Sequence, residues 1–152
     1  MDKKDEEIIR ILERRANLSS RALSNMLLMP ISTVHRRIKK LEHEGVITGY
    51  KAIVDYEKTS RPISALILIN FSEVGDEREH IPKSSVLSNL KRFNEVEEIT
   101  EVQATSFDMV VKGRFESLRR LSDFVEELRN IKGIEEVSTA IITEETSMPP
   151  PV

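Results

Sequence analysis

The chain has 152 residues, of which 39% are hydrophobic and 32% charged, and it carries a net charge of −3. That composition fits one globular domain or two small ones and speaks against a disordered chain or a membrane-embedded one. Cysteine is absent and His35, His43 and His80 stand at no ligand spacing, so neither a metal site nor a cofactor is expected.

The charge is unevenly divided. Residues 1–50 hold ten basic and seven acidic side chains, net +3, leaving 13 basic and 19 acidic for the remainder, net −6. No acidic residue lies between Glu13 and Glu42, whereas Arg14, Arg15, Arg21, Arg36, Arg37, Lys39 and Lys40 all do. A local basic field matters more to phosphate than the global sum, because salt confines it to about a Debye length. The asymmetry points to nucleic acid in the first third only.

The opening residues, Met1 to Glu7, are too charged for a signal peptide, and the expectation is a cytoplasmic protein with no membrane partner. A first helix is predicted from about Lys4 to Arg15, with Ile8, Ile9 and Leu12 on one stripe and acids in the first turn. Ser19 reads as the N-cap of a short second helix ending near Leu27. Pro30 opens a third, which runs to about Glu44 and stops at Gly45. Two short helices about a tight turn, the second strongly basic, describe a helix-turn-helix.

In the third helix Ile31, Val34, Ile38 and Leu41 form the stripe expected to be buried. Ser32, His35, Arg36, Lys39 and His43 project oppositely, with Thr33, Arg37 and Lys40 on one flank. Arg36 is the first candidate for a base contact, with Ser32, His35 and Lys39 as further readers. Thr33, Arg37 and Lys40 are expected at phosphate, with a structural ion pair as the alternative for Arg37. Ser19 and Arg21 are candidates for backbone contacts.

Residues 46–54 have strand character, and the polar run from Asp55 to Pro62 ends the first unit. Beyond it the pattern predicts a strand from Ser64 to Phe71, buried on both faces, then a polar loop over 74–80. A helix from Ile81 or Pro82 to about Phe93 follows, then strands at Val96–Thr105 and Met109–Arg114. A helix over Phe115–Ile131 and a last strand over Ile134–Thr143 complete the order βαββαβ, which is ferredoxin-like. The expected fold is therefore α+β. A helix-turn-helix domain spans residues 1–50, a hinge 51–62, a ferredoxin-like domain 63–145 and a loose tail 146–152. One sheet face lacks a helix to cover it, and a second copy of the chain is the expected cover.

This order of parts resembles the Lrp/AsnC (leucine-responsive and asparagine regulator) family over nearly the whole chain. The resemblance rests on Asp5-x-x-Ile8-Ile9-x-x-Leu12 and on Val34-x-x-Arg37-Ile38-x-x-Leu41-Glu42-x-x-Gly45-Val46-Ile47-x-Gly49-Tyr50. Near the end Gly133-Ile134-x-x-Val137-x-Thr139 adds to it. The resemblance implies a prokaryotic transcription regulator binding double-stranded DNA, not an enzyme. It implies a homodimer paired through its sheets and assembling into tetramers or octamers, with a small effector such as an amino acid bound between dimers. It places effector contacts at Thr105, Ser106, Phe107 and Asp108, with Thr139 on the closing strand. Where the family turn reads Gly-x-aromatic-Asp, this chain has Thr105 for the glycine, which favours a different ligand or none. Asp108 is either an effector ligand or a turn former. Where the family commonly has Gly-Leu-Ser before the recognition helix, this chain has Leu28-Met29-Pro30.

Two other functions compete with effector-controlled regulation. One is an architectural protein that wraps DNA with little sequence choice. The other is an enzyme like the tetrapyrrole decarboxylases of similar two-part architecture, against which stands the lack of any convincing acid–base pair in the second half.

Overall fold

The computed structural model describes residues 1–72 and 81–146. The loop expected over 74–80 and most of the expected tail lie outside the described residues. Met1–Val54 and Asp55–Glu145 fold as two compact units.

The first unit is built from α1 (Lys3–Arg14), α2 (Ser20–Leu27) and α3 (Ile31–His43). Each helix begins where its sequence gives the free amides an answer. Asp2 caps α1 reciprocally with Asp5, and the Ser19 hydroxyl accepts from the Ala22 amide to start α2. Pro30 opens α3 with no side-chain cap, as its ring geometry allows. Gly45 ends α3 at φ 69°, where the amides of Val46 and Ile47 both donate to the Leu41 carbonyl. Ile8, Leu12, Leu23, Val34 and Leu41 make the core, one or two from each helix.

Two expectations fail in this unit. Residues 46–54 form no strand: a strand needs a partner ladder, and the first two amides are taken up by the helix end. Ile31, expected on the buried stripe, is 44% exposed: it is the first residue of α3 and stands outside the core that Val34, three positions on, enters.

The second unit opens with a single 3-10 turn, Tyr56–Lys58, and continues β1 (Ile63–Phe71), α4 (Lys83–Leu90), β2 (Val96–Glu101), β3 (Met109–Phe115), α5 (Leu118–Arg129) and β4 (Ile134–Ile141). The sheet is antiparallel in the order β2-β3-β1-β4, with β1 and β3 in its middle, as the ferredoxin-like arrangement requires. Residues directly opposed across an antiparallel pair share a face. Ile67 lies between Val111 and Thr139, and Leu68 between Val110 and Ser138. Ala65, Ile67 and Ile69 are fully buried under Val86 and Leu90 of α4 and Leu121, Phe124 and Leu128 of α5. Phe124 packs edge-on against Phe93 at 4.9 Å and tilted against Phe115 at 5.2 Å.

Leu66 and Leu68, on the other face of β1, are only half-buried, so the expected burial of both faces is not reached within one chain. Phe115, expected to begin a helix, instead ends β3 opposite Ile63. The helix waits for Ser117, whose hydroxyl accepts from the Arg120 amide. Gly113 has no room for a side chain: a Cβ there would lie 2.7 Å from the Phe115 ring.

Candidate nucleic-acid interface and effector turn

α3 presents two faces of opposite character. Val34 and Leu41 are buried, while Ser32, His35, Arg36, Lys39, Lys40 and His43 are exposed and Thr33 is half-buried. Hydrophobic anchoring on one side leaves the polar side free to enter a groove.

The cations on this helix are held differently. Arg37 donates to Asp2 and to Asp5 at 2.7 Å each, joining α3 to the start of α1. Of the two expectations for Arg37, this geometry favours the structural ion pair over the phosphate contact. Burial pushes the Asp5 carboxyl up, but the Arg37 guanidinium and the Asp2 amide outweigh it and hold it below the usual range. Asp2 is lowered chiefly by its bond from Arg37. The remaining Arg37 Nε is buried without a hydrogen-bond partner among the described residues.

Lys39 reaches Glu42 at 2.7 Å and Lys40 reaches Glu44 at 3.9 Å, both on the helix surface. Such exposed pairs contribute little and open readily. Glu42 also accepts from the Tyr50 hydroxyl at 2.9 Å, tying the segment after the helix back to it. The Lys39 and Tyr50 hydrogen bonds lower the Glu42 carboxyl. Arg36 and Arg21 are exposed and have no ion pair among the described residues. Ser19 is exposed at the start of α2, its hydroxyl engaged as the cap.

The turn between β2 and β3 has a different construction. Thr105 and Ser106 are exposed, and Phe107 and Asp108 half-buried. The Asp108 carboxylate accepts from the Phe71 amide at 2.9 Å, and its own amide donates to the Ile69 carbonyl at 2.9 Å. Asp108 thus closes the end of β1 onto the turn, as a turn former does. Its second carboxylate oxygen has no such bond among the described residues. Thr139 lies on β4, separated from β3 by β1, so one chain does not bring it together with residues 105–108.

Sequence reasoning missed the links that span the chain. Arg114 is almost fully buried; it donates to Glu97 at 2.8 Å and to Glu145 at 2.5 Å, and stacks on the Tyr56 ring at 4.0 Å. Lys112 shares Glu145. Among the described residues no cluster of three or more potential ligands could hold a metal, and no helix is long and apolar enough to cross a membrane.

Comparison with known proteins agrees with both halves. Residues 1–48 match the winged helix-turn-helix DNA-binding family, and residues 78–152 match the Lrp/AsnC ligand binding domain. The HTH-type transcriptional regulator FL11 of Pyrococcus horikoshii is 33% identical over 142 residues, covering 93% of this chain and 89% of its own. The transcriptional regulator NMB0573 of Neisseria meningitidis, solved in complex with L-Met, superposes with a TM-score of 0.83 at 22% identity. It covers 97% of this chain and 92% of its own. LrpC of B. subtilis gives a TM-score of 0.80 at 24% identity over 97% of this chain and 98% of its own. With a basic helix anchored for a groove and a second unit of matching fold, the chain belongs to the Lrp/AsnC family of DNA-binding transcription regulators.

Proposed function

We propose that the chain recognises specific DNA sites as a homodimer or larger assembly, with α3 of each copy in a major groove and Arg36 making the central base contact. The observation that carries this reading is Arg36 itself: exposed, cationic and without an ion pair among the described residues, on a helix whose back is fixed by Val34 and Leu41. Arg can bond guanine through two atoms at once. Ser32, His35 and Lys39 flank it as further readers. Thr33, Lys40, Ser19 and Arg21 are assigned to the phosphate backbone, which positions the protein without reading sequence. Arg37 is assigned to holding the helix.

The half-buried Leu66, Leu68 and Val110 on the sheet face opposite α4 and α5 support pairing of two copies through that face. A two-fold dimer would then set its recognition helices about 34 Å apart, or a multiple of that, on a palindromic site. The turn at residues 105–108 is the proposed effector contact. NMB0573 in complex with L-Met makes amino acids the first compounds to screen. Thr139 joins that site only if another chain supplies one of the two parts. A regulator of this kind acts in the cytoplasm and catalyses no reaction.

The test is binding of the purified full-length chain to DNA upstream of its own coding sequence and to a random duplex of equal length, at two salt concentrations. Tighter, salt-sensitive binding to the upstream DNA is the expected result. Equal affinity for both would replace this reading with the architectural one. No binding to either, with or without amino acids, would overturn both.

A further inference from the structure

Leu28, in the turn between α2 and α3, has no role within its own chain that calls for leucine. Its side chain is 92% exposed, and its backbone sits at φ 51°, ψ 46°, in the left-handed region. It is the one residue other than glycine with positive φ among the described residues. The turn does need that conformation. The Met29 amide donates to the Ser24 carbonyl at 3.1 Å, and the Ser24 hydroxyl donates to the Met29 carbonyl. A helix closed in this way ends through a left-handed residue. Glycine or asparagine would hold it at lower cost, because the leucine Cβ crowds the neighbouring carbonyl. Strain and an apolar side chain in water are both retained, and neither is explained by packing.

Ile31, at the start of the recognition helix, is a second exposed apolar side chain close to Leu28 in sequence. It is 44% exposed at the first position of α3, four residues before His35 and therefore on the same edge of the exposed arc. The N-terminal residues of a recognition helix are those that reach base edges, and the apolar feature of the major groove is the thymine methyl group. We propose that Leu28 and Ile31 form an apolar reading element that packs against thymine 5-methyl groups on the His35 edge of the recognition helix. This rests on α3 being the recognition helix, and it adds a preference for thymine on the side of the site that His35 faces.

The experiment replaces thymine by deoxyuridine in the bound upstream duplex, which removes the methyl groups and keeps the pairing. The wild-type chain is expected to lose about fourfold in affinity for each methyl it buries. Leu28→Gly and Ile31→Ser should each bind the thymine duplex more weakly and respond less to the replacement. Leu28→Gly should also raise the thermal midpoint, since the strain is released. Equal affinity of the wild type for both duplexes overturns the proposal and leaves the recognition helix standing. A loss of the same size in wild type and both variants marks a change in the DNA and also overturns it. Failure of the wild type to bind either duplex overturns the reading of α3 itself.

Discussion

Arg36 in the N-terminal unit and Arg114 in the C-terminal unit carry the same side chain into opposite surroundings. Arg114 is almost fully buried and meets two carboxylates and an aromatic ring. Arg36 is exposed and meets no carboxylate among the described residues. Net charge alone would make every arginine of the chain a candidate for DNA. The difference teaches that a cation is available to an outside partner where the protein has supplied no anion of its own. Arg37 shows how local that distinction is: one residue from Arg36 on the same helix, it belongs with Arg114.

The comparison is most exposed to attack at Arg114. Replacing it with leucine takes one cationic partner from Glu97 and one from Glu145, which keeps Lys112, and removes the stacking on Tyr56. Breaking a buried pair is costly, but Glu145 is about a third exposed in its side chain. The expected loss, discounted for that screening, is about 2–3 kcal/mol in urea unfolding. DNA affinity of the folded fraction should be unchanged. A loss of affinity without a loss of stability would place Arg114 with Arg36 and undo the distinction.

Arg37→Met comes next. It removes the partner of Asp5, whose side chain is 2% exposed, so the thermal midpoint should fall by several degrees at neutral pH. The pH dependence has a definite sign. Asp2 and Asp5 both lie below the ordinary 3.8 in the folded chain, held there by Arg37. Their contribution is therefore full above about pH 4 and is lost as pH falls through the folded values. Thermal melts from neutral pH down to about 3 should show the wild type losing stability at the acid end. The variant should be flatter there. Its binding to DNA should keep the wild-type salt slope, whereas a phosphate contact would cost about one unit of slope.

The fold was legible where one residue acts locally. Ser19 as a cap and Gly45 as a stop could be read because each depends on neighbours within a few positions. Segment 46–54 was misread as a strand because its two valines and two isoleucines are strand formers, while a strand also requires a partner, and the described residues supply none. Phe115 was placed in a helix because periodicity cannot tell the last residue of a strand from the first of a helix. Its register with Ile63 decides, and that is a long-range fact. The exposed polar face of α3 was legible from helical spacing. The Arg37 link to Asp5, across 32 residues, was not resolved, and neither was the exposure of Ile31 at the end of an otherwise buried stripe.

Arg36→Ala is the smallest perturbation of the folded chain and the sharpest test of the comparison. An exposed side chain with no partner should change stability by less than about 0.5 kcal/mol when truncated. Lys40→Ala should be equally silent in unfolding, since its bond to Glu44 is exposed and long at 3.9 Å. The two should separate on DNA. Arg36→Ala should lower affinity for the upstream site and relax preference at a single base pair, narrowing the ratio of specific to random binding. Lys40→Ala should weaken both duplexes alike and reduce the salt slope by about one. The separation can be read by titrating each variant against a set of single-base-pair replacements at two salt concentrations. If Arg36→Ala weakens all duplexes evenly, Arg36 is a phosphate contact and the reader lies elsewhere on the arc, at Ser32, His35 or Lys39. Its freedom from internal partners would then mark contact with DNA without marking which part of the DNA is read.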